Sequence, residues 1–236
     1  MRGQNISDQL ERNGFALVED LLDQEALAQA AEALEEFNSG PSANRRGGSA
    51  YGVRDLLAAI PRLAYLADHL GVRRVVRAIT GDGARVVRSI FFDKTPDANW
   101  RVAWHQDLTI AAREKLQIEG FTAWSVKAGV PHVQPPTRVL ENILTVRIHL
   151  DDTDASNGAL KVIPGSHCYG RLDESSMRAL IDSAEPTICN VARGGVLLMR
   201  PLLLHASSAG TNPAHRRVIH LEFSAQSLPG GLEWAR

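Results

Sequence analysis

From Ala84 onward the chain is cut into short apolar runs separated by Gly, Pro, Asn and Asp, and this punctuation constrains the fold more than any other feature. Residues 85–92, 144–150, 159–163, 187–191, 196–199 and 218–223 each have the length and residue types of a strand. Between them lie turn sequences at 93–97, 151–154, 156–158, 164–167 and 193–195. Gly and Asn accept positive φ, and Pro presets φ and removes a donor, so such stretches reverse the chain. Residues 108–136 hold several Gly and Pro with little periodicity, which predicts an irregular segment over whatever site the strands build, and a candidate lid.

The first third has a different texture. Residues 4–12 are helix-forming and end at Asn13-Gly14; Phe15-Ala16-Leu17-Val18 then reads as a short buried strand. Asp23 caps a predicted helix running to about Phe37. Leu27, Ala30, Ala31, Leu34 and Phe37 share one face of it, and Glu25, Glu32, Glu35 and Glu36 take the other. Residues 38–52 are rich in Ser, Gly, Asn and Pro and predict a surface loop, a second candidate lid. Helical composition returns over 54–70 and 72–80, stopped by Gly81-Asp82-Gly83, and once more over 173–183 behind Asp173. Helices first and many short strands afterwards predict a mainly β protein with flanking helices and a double-stranded β-helix core, the jelly-roll or cupin-like arrangement. A single domain is expected over 1–236, with 1–82 as a helical layer and 83–228 as the jelly roll.

A net charge of −1 gives no reason to expect nucleic acid or an anionic membrane as partner. There is no apolar run of about 18 residues to span a bilayer, and the first twenty residues lack a signal peptide's layout, so a cytoplasmic location is expected. Cys168 and Cys189 belong to no metal-binding pattern and are expected as unpaired thiols. The expected partner is a small molecule, and the expected state a monomer or homodimer.

Histidine carries the chemistry. In Trp104-His105-Gln106-Asp107 an imidazole and a carboxylate stand two apart, and in an extended chain both point to one face. His205 closes the apolar run Pro201-Leu202-Leu203-Leu204, where a solvent-facing histidine would be unusual. Two His and one carboxylate form the facial triad of non-haem Fe(II) oxygenases, which leaves coordination positions open. A 2-oxo acid that chelates such an iron leaves a far carboxylate to be neutralised, and Arg offers a planar bidentate partner. Arg216-Arg217 opens the last strand, where alternation sends one guanidinium inward and the other outward. Arg147 and His149 share a face of the 144–150 strand. With Trp124 and Lys127 they could receive an anionic or polar substrate. His149 and His132 are rival ligands, His132 being placed near the site mouth; His69, His215 and His220 read as ordinary helix, loop and strand residues.

Five pieces come in a fixed order: Phe92-Asp93-Lys94-Thr95-Pro96-Asp97, His105-Gln106-Asp107, Asn157-Gly158-Ala159-Leu160-Lys161-Val162-Ile163-Pro164-Gly165-Ser166-His167, Pro201 through Ser207, and Arg216-Arg217. Together they resemble the phytanoyl-CoA dioxygenase family of Fe(II)/2-oxoglutarate oxygenases, from about Phe91 to Phe223. The resemblance implies that His105, Asp107 and His205 bind iron. It implies that Arg216, helped by Ser207, pairs with the distal carboxylate of 2-oxoglutarate, that Lys94 contacts the same cosubstrate, and that His167 belongs to a scaffold turn. It further implies a dioxygenase that uses Fe(II), 2-oxoglutarate and O2, releases succinate and CO2, and hydroxylates an unactivated C–H. Asp107 points away from halogenation, which needs a small residue there to admit chloride. Two readings of other classes stay open on the sequence. A non-catalytic jelly-roll binding module predicts an exposed Arg216, and a metal-dependent hydrolase or isomerase would use Zn or Mn at the same triad.

Overall fold

The structure is a computed structural model describing residues 2–39, 52–212 and 215–236. Most of the loop expected over 38–52 therefore lies outside the described residues. The chain opens with helix α1 (Arg2–Asn13), strand β1 (Phe15–Val18) and helix α2 (Gln24–Ser39). Gly14 makes the first reversal: its N–H bonds to Leu10 O and its φ is +79°, a conformation that costs glycine little. The Asp23 carboxylate accepts from Ala26 N at 2.8 Å and starts α2. The helix expected over 54–70 is instead broken. Strand β2 (Gly52–Arg54) is followed by α3 (Leu56–Ala59), a 3-10 turn at Pro61–Ala64, and α4 (Tyr65–Asp68). Pro61 cannot continue a helix and His69 leaves helical φ/ψ to cap α5 (Leu70–Thr80), so one predicted helix becomes three turns.

Strand β3 (Arg85–Lys94) runs two residues further than its sequence suggests, because the reversal is delayed to Thr95 and Ala98, whose backbones bond to each other. Strand β4 (Val102–His105) and β5 (Ile110–Ala111) follow. The segment expected to be irregular over 108–136 contains, besides β5, the hairpin β6 (Thr122–Lys127) and β7 (Val130–Gln134), and these three form their own sheet in the order β5-β7-β6. After α6 (Thr137–Glu141) come β8 (Leu144–His149), β9 (Leu160–Val162), α7 (Glu174–Ser183), β10 (Thr187–Ile188), β11 (Val196–Met199), β12 (His205–Ser207) and β13 (Arg216–Ser224).

Two antiparallel sheets make the jelly roll, a six-stranded one ordered β1-β11-β8-β13-β3-β2 and a four-stranded one ordered β10-β9-β12-β4. Strand alternation decides what each face of the large sheet does. Val146 and Ile148 of β8, Ile219, Leu221 and Phe223 of β13, and Phe91 of β3 are buried against Leu27, Ala30 and Leu34 of α2, the turns at 56–67, and Val72, Val75 and Val76 of α5. The intervening residues, Arg147 and His149, Arg216, His220 and Glu222, and Arg88, Phe92 and Lys94, point the other way, into the space between the sheets. One end of that space is closed by apolar packing of Leu160, Val162, Leu197, Met199 and Leu203. Among the described residues no helix is long and apolar enough to cross a membrane.

Candidate active site

Strands β4 and β12 pair antiparallel with His105 opposite His205, so the register alone brings together two imidazoles a hundred residues apart. Their ring centroids are 4.2 Å apart. Asp107 lies just beyond β4, anchored by its N–H on Pro201 O at 2.9 Å. Its carboxylate oxygens stand 4.0 Å from His105 Nε2 and 3.8 Å from His205 Nε2. One ligand atom from each of the three residues lies within 4.8 Å of the others, room for a single ion. Both rings turn Nδ1 onto a backbone carbonyl two residues back, Ala103 O for His105 and Leu203 O for His205, each at 2.8 Å. Those bonds fix the tautomer with Nδ1 protonated and leave the Nε2 lone pairs directed at Asp107.

The charge states suit a metal. Burial holds His205 down to about 4, although the Asp107 charge opposes that shift, so the ring is neutral and able to donate a lone pair at neutral pH. For Asp107 burial favours the neutral acid, but the neighbouring His205 and the Arg88 guanidinium prevail and hold the carboxyl below the usual carboxylate range. His205 is buried while the His105 side chain is 39% exposed, so the triad is walled on one side and open on the other.

The triad borders a cavity of about 130 Å³, lined on the large-sheet side by Arg88, Phe92, Arg147, Arg216 and His220. Arg216 and Lys94 are partners in the β13–β3 register. Both are buried, and Lys94 is a strand residue, not part of an exposed turn as its sequence context suggests. Lys94 Nζ donates to Ser207 Oγ at 2.7 Å and Ser208 O at 2.6 Å; Arg216 and Ser207 both donate to Gly158 O, at 2.7 and 2.9 Å. Gly158 sits at φ +82°, and a Cβ there would meet Lys94 Nζ at 2.8 Å and Ser208 O at 2.7 Å, so the cradle admits only glycine. Among the described residues neither cation forms an ion pair, and Arg216 Nε is buried without a hydrogen-bond partner. Burial, reinforced by Arg147, lowers Arg216 to about 9; burial with Arg216 and Arg147 lowers Lys94 to about 8. Two buried cations that repel each other over an unfilled acceptor requirement call for an anion. Arg217, one position on, turns out to Asp151 at 2.8 Å.

The family described as phytanoyl-CoA dioxygenase (PhyH) matches residues 10–218. The chain belongs to that family. It is accordingly an enzyme of the Fe(II)- and 2-oxoglutarate-dependent dioxygenase class, with iron as cofactor and 2-oxoglutarate and O2 as cosubstrates. The chain is 23% identical to an ectoine dioxygenase of Sphingopyxis alaskensis, over 96% of this chain and 78% of the relative, and 23% identical to one of Bordetella bronchiseptica, over 91% and 73%. Among solved structures, EctD from S. alaskensis with bound Fe aligns with TM-score 0.71 at 20% identity, covering 92% of this chain and 75% of that one. The epimerase SnoN from nogalamycin biosynthesis aligns with TM-score 0.71 at 16% identity over 98% and 91%. At these identities the structural likeness speaks for the fold, which is the jelly roll of this family. The donor set fits a ferrous ion, having two imidazoles whose Nδ1 atoms are tied to backbone carbonyls and an ionised carboxylate. The Arg216–Lys94 end fits a dicarboxylate, with buried charge and an orphaned N–H waiting for an acceptor.

The family site has members that sequence reasoning passed over. His220, read as an ordinary strand residue, lines the cavity: its Nδ1 lies 3.0 Å from Arg147 Nη1 and its Nε2 3.1 Å from Glu222 Oε1. Glu222 in turn holds Arg88 at 3.0 Å. The signal was present as polar residues at every second position of an otherwise apolar strand. Arg147 is buried on the cavity wall, its Nε unpartnered, stacked 5.6 Å over Phe92, and lowered to about 10 by burial. His149 lies on the same strand face but not on the cavity wall: its Nδ1 meets Thr153 Oγ1 at 2.9 Å, and burial with Arg147 and Arg216 holds it well below the usual histidine range. Trp124 is not on the cavity wall either. It packs against the apolar cluster of Ile110, Val133, Leu228 and Trp234, at an irregularity in the β6–β7 register. His167 sits in the 3-10 turn Ser166–Tyr169 with Nε2 on Glu11 O at 3.2 Å, and His69 caps α5.

These buried neutral histidines give the apo-protein an acid limit. His149, His205 and His220 all titrate lower folded than unfolded, so the unfolded chain binds more protons below about pH 6.5, and stability must fall as pH drops from there towards 4. His205 alone contributes about 3 kcal/mol to that loss. Denaturant midpoints of apo-protein across this range should fall steadily; a flat profile would mean that the rings are already charged in the fold.

Proposed function

We propose that His105, Asp107 and His205 hold the iron, that Arg216, Lys94 and Ser207 hold the distal carboxylate of 2-oxoglutarate, and that the enzyme hydroxylates an unactivated C–H of a small molecule. The observation that carries this reading is the pairing, within one cavity, of a convergent His/Asp/His donor set with two buried cations that have no ion-pair partner among the described residues. Iron held there would, with 2-oxoglutarate and O2, supply the oxidative chemistry that turns a substrate C–H into C–OH, with succinate and CO2 as the other products.

The protein's part is placement and exclusion. His205 and the apolar wall behind it keep water from one side of the site, and the Ala103 and Leu203 carbonyls keep both imidazoles in the donating tautomer. Arg216 is 3% exposed, which removes the ground for a binding module with a solvated arginine at that position. At about 130 Å³ the cavity is below the roughly 300–1,000 Å³ of pockets that enclose a whole drug-sized ligand. With 2-oxoglutarate at the Arg216 end, the substrate reaches the triad from the open side, where the His105 side chain is 39% exposed. The test is anaerobic titration of the apo-protein with Fe(II) and 2-oxoglutarate. The reading expects a weak visible charge-transfer band that requires both additions.

A further inference from the structure

A second hollow opens beside the cavity and shares Arg88 and Ile90 with it as a common wall. Its other walls come from Arg54 at the end of β2, Lys127 at the end of β6 and His132 on β7. Together with the Asp55–Arg236 pair, which also lines the hollow, these elements bring four cations and an imidazole to one place, and the shared Arg88 wall adjoins the cavity of the triad. Three carboxylates stand nearby: Asp55 is bonded to Arg236, Glu222 to Arg88, and Asp107, whose charge also reaches Lys127, belongs to the triad. Arg54 and Lys127 have no ion-pair partner among the described residues; the Lys127 ammonium donates a 3.2 Å hydrogen bond to Thr109 Oγ1. The cations sense one another. Lys127 is lowered by burial, then by Arg88 and Arg54, and Arg54 by burial and Arg88. His132 is buried and held neutral by the same surroundings, and with Nδ1 bonded to Val130 O at 3.0 Å its Nε2 is left as an acceptor that adds no charge. The hollow is narrow, about 20 Å³, which suits a terminal group and not the body of a ligand.

We propose that the primary substrate carries a terminal anionic group, a carboxylate or a phosphate, which seats between Arg54 and Lys127 beside Arg88 while its reactive carbon lies over the triad. This deepens the reading of the site as an Fe(II)/2-oxoglutarate oxygenase and rests on it. An anion there pairs with two cations that have no ion-pair partner among the described residues, Lys127 half-buried and Arg54 at an exposed strand end, and it fixes one end of the substrate so that a single C–H is presented.

The test compares wild type with the variants Arg54→Gln and Arg54→Gln/Lys127→Gln, all loaded anaerobically with Fe(II) and 2-oxoglutarate so that the cosubstrate end is filled. Methyl phosphate and acetate are titrated separately by calorimetry. Wild type should bind at least one of them saturably, the single variant more weakly, and the double variant at least about tenfold more weakly. Whichever anion shows that loss identifies the group. Absence of saturable binding of either anion by wild type, or equal binding by the double variant, overturns the proposal. The visible band of the loaded samples is recorded in the same cells. If it is present in all three proteins the oxygenase reading stands whatever the anions do, and if it is absent from wild type that reading fails on its own.

Discussion

Asp107→Ala will abolish 2-oxoglutarate consumption and leave the fold standing. The side chain faces the cavity at 21% exposure and takes no part in the apolar core, and the backbone anchor to Pro201 O does not depend on it. What is lost is the one negative ligand among three and the charge that sits amid His205, Arg88 and His220. Changing groups one shell outside a metal already costs 10–100-fold, so removal of a ligand should cost at least about 100-fold in succinate formation. Circular dichroism and the thermal midpoint of the apo variant should stay close to wild type. A variant that forms succinate at more than a tenth of the wild-type rate would remove Asp107 from the ligand set.

Arg216→Met carries a prediction of opposite signs in two measurements. In the apo-protein Arg216 is a buried cation whose Nε has no partner, and replacing a charge in that position by an apolar chain of similar length is commonly neutral or stabilising. Gly158 O keeps its bond from Ser207, so no new acceptor is orphaned. Binding of 2-oxoglutarate should suffer, because its distal carboxylate would be buried with Lys94 alone. Breaking a buried charge pair costs about 2–5 kcal/mol, which corresponds to roughly 30-fold to 4,000-fold in affinity. Thermal melts without cosubstrate and binding titrations with it check the two halves. Unchanged affinity would place the distal carboxylate elsewhere.

Much of this site could be read from local pattern. The H-x-D spacing, the apolar run before His205 and the Arg216-Arg217 pair are short-range features, and strand alternation settles their facing once a strand is granted. Elsewhere local signals misled. Pro96 draws the predicted turn back to Asp93 and so puts Lys94 in a turn, where only the family resemblance marks it as a cosubstrate contact, whereas the β13 pairing carries β3 through to Lys94 and buries it. The β6–β7 hairpin escaped notice because its turn is Ala128-Gly129, with Ala128 at φ +50°, and because Pro131 lies inside β7. His220, Glu222 and Arg88 acquire a role only when two sheets face each other, and that depends on pairing between strands more than a hundred residues apart. The meeting of Arg54 with Lys127 is likewise a product of topology, since β2 at one sheet edge and the small sheet come together nowhere in the sequence.

The account's central claim is that one ferrous ion and one 2-oxoglutarate share the cavity between the sheets, held by His105, Asp107 and His205 at one end and Arg216 at the other. The direct measurement is the anaerobic titration followed by visible absorbance. The account predicts no band with Fe(II) alone, a band that saturates at one 2-oxoglutarate per iron in wild type, and none in Asp107→Ala. Iron that binds without any spectral response to saturating 2-oxoglutarate, or an undiminished band in Asp107→Ala, would contradict it.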